Sequence, residues 1–348
     1  TDVIKINGVE KLHGGATYSV VPDQIEAGTF MLAAVATKGD ILIKNCITKH
    51  LESIIAKITE IGGQVEDFGD SIRVKCNKRP SNAIIKTLPY PGFPTDLQPQ
   101  MGVVLSTANG TSRIIESIWE SRFQYTDELN KMGAKIKGAG TNVIKIDGVK
   151  TLKNVSYNVM PDRIEAGTLL CATAITGGKI ELNKVEPIHI GPVISKLEES
   201  GCKINVGKNS VILEAPKRLK AVDIKTMPYP GFPTDMQSIF TGMLTTAKGT
   251  SMIIENIFEN RYRYTAELNK MGAKITTEGK TAVIKGVRKL SGATVKSTDL
   301  RGGACMVLAG LSAKGITTVT NVEYILRGYE NLDKKLNNLG AKITIQKD

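Results

Sequence analysis

Histidine is scarce in this chain, with 3 among 348 residues, and neither an HExxH run nor a Cys/His cluster occurs. Without such ligand sets no metal site is expected. Aromatic residues make up only 5%, too few for the stacking platforms that hold single-stranded nucleic acid. The five cysteines (Cys46, Cys76, Cys171, Cys202 and Cys305) are odd in number and form no CxxC pair. That usage points to reduced thiols and a cytoplasmic protein. No apolar run reaches the length of a membrane span and no signal peptide is evident, so no membrane association is expected. Nor do like charges run to five or six. The net charge of +12 is scattered along the chain, which fits a solvated surface or clefts for phosphorylated small molecules and argues against nucleic acid as the ligand.

What is present is an ordinary soluble composition, 41% hydrophobic and 23% charged, in a chain long enough for two domains. The chain repeats itself. Thr1-Asp-Val-Ile-Lys-Ile-Asn-Gly-Val9 returns as Thr141-Asn-Val-Ile-Lys-Ile-Asp-Gly-Val149, and Pro22-Asp-Gln-Ile-Glu-Ala-Gly-Thr29 as Pro161-Asp-Arg-Ile-Glu-Ala-Gly-Thr168. The match runs on to Leu129-Asn-Lys-Met-Gly-Ala-Lys-Ile136 and Leu268-Asn-Lys-Met-Gly-Ala-Lys-Ile275. A finer period lies inside it. Apolar-periodic helices stop at Gly62, Gly133, Gly201, Gly272 and Gly340, each suited to the left-handed position after a helix, and a short strand follows each. The chain therefore reads as five repeats of about 70 residues, A, B, A′, B′ and C. The expected domains are 1–140 (A and B) and 141–348 (A′, B′ and C).

Repeat A shows the plan. Alternation predicts strands at 3–6 and 17–21, a helix over 23–37, a strand over 40–45 and a helix over 50–61. A hairpin is predicted at 64–68 and 71–76 around Gly69-Asp70. The fold class is α/β, built from repeated β-α-β-α-β-β units. Runs such as Phe30-Met-Leu-Ala-Ala-Val-Ala36 and Met306-Val-Leu-Ala-Gly-Leu311 are apolar all round. Helices of that kind should be buried nearly all round, which one repeat cannot achieve alone.

Leu88-Pro-Tyr-Pro-Gly-Phe-Pro-Thr-Asp-Leu-Gln98 recurs as Met227-Pro-Tyr-Pro-Gly-Phe-Pro-Thr-Asp-Met-Gln237. Three prolines forbid a helix and make a stiff turn. That turn delivers Thr95 and Asp96, and likewise Thr234 and Asp235, to the first turn of the next element. Either aspartate serves there as a helix cap or as a carboxylate presented at a cleft.

PYPGFPTD, PDRIEAGT, ENR, ELNKMGAKI, TDLR and RGYE, in this order and over nearly the whole chain, resemble the UDP-N-acetylglucosamine 1-carboxyvinyltransferases, the enolpyruvyl transferases that begin peptidoglycan synthesis. The resemblance implies an inside-out α/β barrel architecture of three-repeat domains around buried helices. It also implies transfer of the enolpyruvyl group from phosphoenolpyruvate to the 3-hydroxyl of UDP-N-acetylglucosamine, with release of phosphate. No cofactor is implied, because phosphoenolpyruvate carries its own leaving group; the partners would be the two small substrates, and the family leaves room for a homo-oligomer.

By the same resemblance Asp235 is the carboxylate that meets the sugar 3-hydroxyl, and Ile257 lies beside the N-acetylglucosamine. Arg163, Thr234, Arg261, Asp299, Arg301 and Arg327 would line the cleft. The first copy departs from the pattern with Gln24 and Ser121 in place of Arg163 and Asn260. This makes Asp96 a weaker candidate. The family's His-Ile-Asp before RGYE is Tyr324-Ile-Leu326 here. Its Lys-Asn pair and its Gly-rich loop with a reactive Cys or Asp have no match in these residues. Cys46, in Lys44-Asn-Cys-Ile-Thr-Lys-His50, occupies a comparable strand-to-helix loop, and the flanking lysines should lower its pKa. The loop is short, however, and lacks the Gly-rich run and a following Arg-Pro, and a structural thiol is the reading favoured over lysine activation. Lys78-Arg79 and Lys217-Arg218 read as solvated linker charges.

Two alternatives to catalysis follow: a family member that binds the sugar nucleotide without turnover and, more remotely, RNA chemistry on a related scaffold.

Overall fold

The structure, a computed structural model, describes residues 19–119 and 122–346. The chain divides into two compact bodies, 1–157 and 158–348. The strand predicted at 3–6 lies outside the described residues.

Among the described residues the N-terminal body begins with α1 (Gln24–Thr37) and β1 (Asp40–Lys44). Next come α2 (Glu52–Glu60), β2 (Gln64–Asp67) and β3 (Ser71–Lys75). These three strands form an antiparallel sheet in the order β1-β3-β2, with the predicted hairpin turning at Gly69. The second repeat supplies β4 (Ile84–Lys86), α3 (Gln98–Ser106), β5 (Thr111–Ile115), α4 (Thr126–Lys131), β6 (Lys135–Lys137) and β7 (Val143–Asp147). Their sheet runs β4-β5-β7-β6, with β4 parallel to β5 and the rest antiparallel. The expected boundary at 140 falls just before β7, whereas the compact body runs on to Tyr157 because β7 lies between β5 and β6.

The C-terminal body repeats the pattern with α5 (Arg163–Thr176), β8 (Lys179–Asn183), α6 (Gly191–Glu199), β9 (Lys203–Val206) and β10 (Ser210–Glu214). It continues with β11 (Ile224–Lys225), α7 (Gln237–Leu244), β12 (Thr250–Ile254), α8 (Thr265–Lys270), β13 (Lys274–Glu278) and β14 (Thr281–Lys285). It ends with β15 (Thr294–Lys296), α9 (Leu300–Ser312), β16 (Thr318–Thr320), α10 (Glu323–Leu326) and α11 (Leu332–Asn338). The sheets run β8-β10-β9, β11-β12-β14-β13 and β15-β16. Helices α5, α7 and α9 pack on one another, and their inward side chains, among them Leu170, Cys171, Phe240, Met243, Cys305 and Leu308, form the core.

Local chemistry accounts for the helix ends. Asp162 caps α5, its Oδ1 accepting from the amides of Ile164 at 2.7 Å and Glu165 at 3.1 Å, and Asp23 caps α1 in the same way. Asp162→Ala is expected to lower stability by about 1 kcal/mol, measured by urea unfolding. All five predicted stop glycines have positive φ, between 87° and 101°. Three residues before three of them an asparagine (Asn130, Asn269, Asn337) clamps both backbone groups of the isoleucine six residues on from itself.

Three expectations fail here. Within the predicted strand at 17–21, the described residues 19–21 are irregular, and Val20 and Val21 are exposed. A strand needs a hydrogen-bonded neighbour, and among the described residues none pairs with that segment. The strand expected at Ile343 does not form either, since no described strand lies beside it. Helix α1 is also not buried all round, because Phe30, Ala33 and Ala36 are exposed along one face.

Candidate functional site

The site in the C-terminal body is built on the proline turn. The Tyr229–Pro230 bond is cis, and the Met227 amide closes the turn on the Phe232 carbonyl at 3.0 Å. The chain then enters a single 3₁₀ turn, Thr234–Met236, ahead of α7. That turn holds Asp235 with its side chain 40% exposed. No cap bond engages it, so the carboxylate is presented at the surface.

Two arginines hold it from different elements. Arg261 Nη2 donates to Asp235 Oδ1 at 2.8 Å, and Arg301 Nη2 donates to Oδ2 at 3.1 Å. Arg261 follows Asn260, whose φ of 57° turns the chain there, and its guanidinium lies over the Phe258 ring. Arg301 comes from the first turn of α9. Asp299 caps that helix, its Oδ1 accepting from the amides of Arg301 and Gly302 at 2.9 Å each, while Oδ2 accepts from Thr298. The carboxylate of Asp299 thus fixes the start of the helix that carries Arg301.

Arg301 is mostly buried over the Tyr329 ring, 5.4 Å from its centroid. Its Nη1 is buried without a partner among the described residues. The Tyr329 hydroxyl lies 2.9 Å from Thr168 Oγ1. Burial pushes the Tyr329 phenol up, against the pull of Thr168 and Arg301, so it stays protonated at neutral pH. Burial opposes the charge on Arg301, and Tyr329 and Asp235 more than offset this to leave its pKa raised. Tyr329→Phe should therefore cost about 1 kcal/mol, the worth of one buried hydrogen bond, in thermal unfolding.

The remaining candidates spread out. Arg163 opens α5 and stacks over the Tyr229 ring at 5.6 Å. The Thr234 hydroxyl donates to Glu255 Oε2 at 2.8 Å, and the Ile257 amide donates to Glu255 Oε1 at 2.9 Å. Arg327 is exposed at the end of α10, and among the described residues its side chain makes no ion pair or hydrogen bond. In the N-terminal body Asp96 meets Arg122 Nη2 at 2.6 Å and is the more exposed of the two aspartates.

Cys46 shows none of the lowering that flanking lysines alone would give. It is buried, and that burial, with the charges of Asp67 and Asp70, pushes its pKa up. Of the linker charges Lys78, Lys217 and Arg218 are exposed and Arg79 is half-buried, but both arginines also bind backbone. Arg79 donates to the carbonyls of Thr107, Ala108, Gly148 and Val149, and Arg218 to those of Thr246, Ala247 and Val287. Each ties its repeat to the next.

Sequence reasoning missed Tyr329 and, more consequentially, Glu255. Glu255 is 1% exposed, and it accepts from the hydroxyls of Thr226 and Thr234 and from the amides of Ile257 and Phe258. It thereby joins the proline turn to the loop that carries Arg261. The available signal was its exact recurrence as Glu116, which accepts from Thr87, Thr95, Ile118 and Trp119.

Among the described residues no group of histidine, cysteine or carboxylate side chains could hold a metal ion, and no helix is long and apolar enough to cross a membrane.

Comparison with known proteins gives consistent results. The model of the EPSP synthase (3-phosphoshikimate 1-carboxyvinyltransferase) family matches residues 1–140 and 129–336. UDP-N-acetylglucosamine 1-carboxyvinyltransferase 1 of Caldanaerobacter subterraneus is 54% identical over 215 residues, 62% of this chain and 52% of that protein. The chain thus spans about half the length of that relative. UDP-N-acetylglucosamine 1-carboxyvinyltransferase 2 of the same organism is 44% identical over 299 residues, covering 85% of this chain and 70% of its own. UDP-N-acetylglucosamine 1-carboxyvinyltransferase of Desulfofundulus thermocisternus is 53% identical over 216 residues, which are 62% of this chain and 89% of that one. Among solved structures, the enolpyruvyl transferase NikO from Streptomyces tendae matches with a TM-score of 0.70 at 22% identity, over 90% of this chain and 75% of its own. EPSP synthase from Acinetobacter baumannii matches with the same TM-score at 18% identity. These last two establish the fold alone. With a family model spanning most of its length and relatives of this identity, the chain belongs to the enolpyruvyl transferase family.

Proposed function

We propose that this protein takes part in enolpyruvyl transfer from phosphoenolpyruvate to the 3-hydroxyl of UDP-N-acetylglucosamine, the reaction that opens peptidoglycan synthesis, in the cytoplasm. The observation that supports this reading best is the pairing of Asp235 with Arg261 and Arg301. An alcohol attacking an enol must give up its proton, and a carboxylate at the hydroxyl is the group to accept it. Each carboxylate oxygen takes one guanidinium, so two rigid arms hold the base in place while part of it remains open to a ligand.

Residues 141–348 supply the sugar-nucleotide half of the reaction. Arg301 is the stronger candidate for an anionic ligand, with an unpartnered Nη1 beside the bond to Asp235. A guanidinium fork matches a carboxylate or phosphate by paired hydrogen bonds. Arg163 and Ile257 flank the sugar nucleotide. Asp299 acts by fixing the start of α9, and Arg327 reaches a ligand from its exposed position. Arg301→Lys removes the fork and is expected to weaken UDP-N-acetylglucosamine about tenfold, since a hydrogen bond to a charged partner is worth roughly 1.5–3 kcal/mol.

A second reading, binding of the sugar nucleotide without turnover, is favoured by the missing Lys-Asn pair and Gly-rich cysteine loop. Phosphate release from phosphoenolpyruvate, measured with this chain and UDP-N-acetylglucosamine, separates the two. Release above background that requires the sugar nucleotide supports transfer; calorimetric binding with no release leaves the binder.

A further inference from the structure

The helix pair α5 and α7, on which the third repeat of residues 286–346 sits, has a counterpart in α1 and α3 of the N-terminal body. In the C-terminal body α9 lies against both α5 and α7. Gly242 allows the close approach: a Cβ there would lie 2.8 Å from Cys305 Sγ and 3.2 Å from the Cys305 carbonyl oxygen. Around this crossing Ala172 is 4% exposed and Ile239 0%. Polar contacts complete the seat, with Thr168 on Tyr329 and Lys335 Nζ 2.6 Å from Glu165 Oε1.

The repeat aligns each of these positions with one in the N-terminal body, and nearly all have changed in character or setting. Val103 stands where α7 has Gly242, and it is 39% exposed. Its side chain would fall where even a lone Cβ meets Cys305. Ala33, aligned with Ala172, is exposed. Gln100 replaces Ile239 and turns its amide onto Thr29 Oγ1 at 3.2 Å, the place that Tyr329 takes on Thr168. Glu26, aligned with Glu165, is exposed and makes no ion pair among the described residues.

We infer that Val103 bars a third repeat from the N-terminal body, so that residues 286–346 have a single seat and each chain completes one three-helix body. Among the described residues Asp96 and Arg122 then have no counterparts of Arg301 and Tyr329, and one Asp–Arg–Tyr constellation forms although its motif occurs twice. That this constellation means one sugar-nucleotide site per chain rests on the function proposed above; the seating of the repeat does not.

Zero-length carbodiimide coupling of the unsubstituted chain, mapped by peptide mass spectrometry, tests the seating. An amide between Glu165 and Lys335 is expected, with none between Glu26 and Lys335. A Glu26–Lys335 amide, within one chain or across two, overturns the inference, as does the absence of any Glu165–Lys335 amide. Exchanging the two faces in the Val103→Gly/Gln100→Ile/Gly242→Val variant is expected to move coupling from Glu165 to Glu26; undiminished coupling at Glu165 removes the role given to Val103. Calorimetry of the unsubstituted chain should find one UDP-N-acetylglucosamine bound per chain. Two bound would contradict the inference, whereas no binding would overturn the proposed function and leave the coupling result standing.

Discussion

Asparagine in place of Asp235 is expected to lower sugar-nucleotide-dependent phosphate release about 10²- to 10⁴-fold, the usual contribution of a positioned proton acceptor. The substitution keeps the size of the side chain and an oxygen for one guanidinium, but puts an NH₂ where the other oxygen stood. Arg261 at 2.8 Å and Arg301 at 3.1 Å each hold one of those oxygens. One of the two arginines therefore loses its acceptor, and the group facing the hydroxyl can no longer take a proton. Steady-state phosphate assays at saturating substrate isolate the second effect, and calorimetric affinity for UDP-N-acetylglucosamine reports the first. Unchanged turnover in Asp235→Asn would remove the proton-accepting role. The matching Asp96→Asn change is expected to leave turnover as it was.

The largest effect on stability is expected at Glu255. Its carboxylate accepts from two hydroxyls and two amides in a nearly closed environment. In Glu255→Ala the threonine hydroxyls can rotate to other acceptors, while the Ile257 and Phe258 amides cannot. Two stranded amides at roughly 1–3 kcal/mol each give about 3 kcal/mol once their partial exposure is allowed for. Denaturant unfolding checks the figure, and a loss below 1 kcal/mol would contradict it. Glu116→Ala strands the same two amides in the N-terminal body and should cost a similar amount there. The two variants part in function: only Glu255→Ala loosens the loop that leads to Arg261, so only it is expected to weaken the sugar nucleotide.

The sequence was most informative where a local rule governs a local shape. The stop glycines and the hairpin at Gly69 form as expected, because left-handed φ and a tight turn are properties of a few adjacent residues. The cap reading weighed for Asp96 and Asp235, by contrast, is not met, and the aspartate caps form instead at Asp23, Asp162 and Asp299. The proline turn likewise led to Asp235. Prediction failed where a neighbour distant in sequence decides the outcome. Residues 19–21 have strand chemistry and no described strand to pair with. Cys46 has lysines beside it in sequence but burial and two aspartates around it in space. Arg79 looks like linker charge until the carbonyls of two separate segments converge on it. Glu255 looked like any surface glutamate at the end of a strand, and only the convergence of four donors shows what it does. Arg301 and Tyr329 were placed by family likeness alone in one case and passed over in the other. Their stacking, and the reach of Tyr329 to Thr168, depend on how helices far apart in the chain come together.

The seating of β7 between β5 and β6 means that the block the sequence duplicates is out of phase with the block that folds. A cut at the apparent repeat boundary, residue 140, would remove an interior strand, leaving β6 with no partner and β5 with an unpaired edge. A fragment meant to stand alone, or a graft of one block onto another protein, therefore has to keep the chain through Asp147, although by alignment those last residues open the next copy.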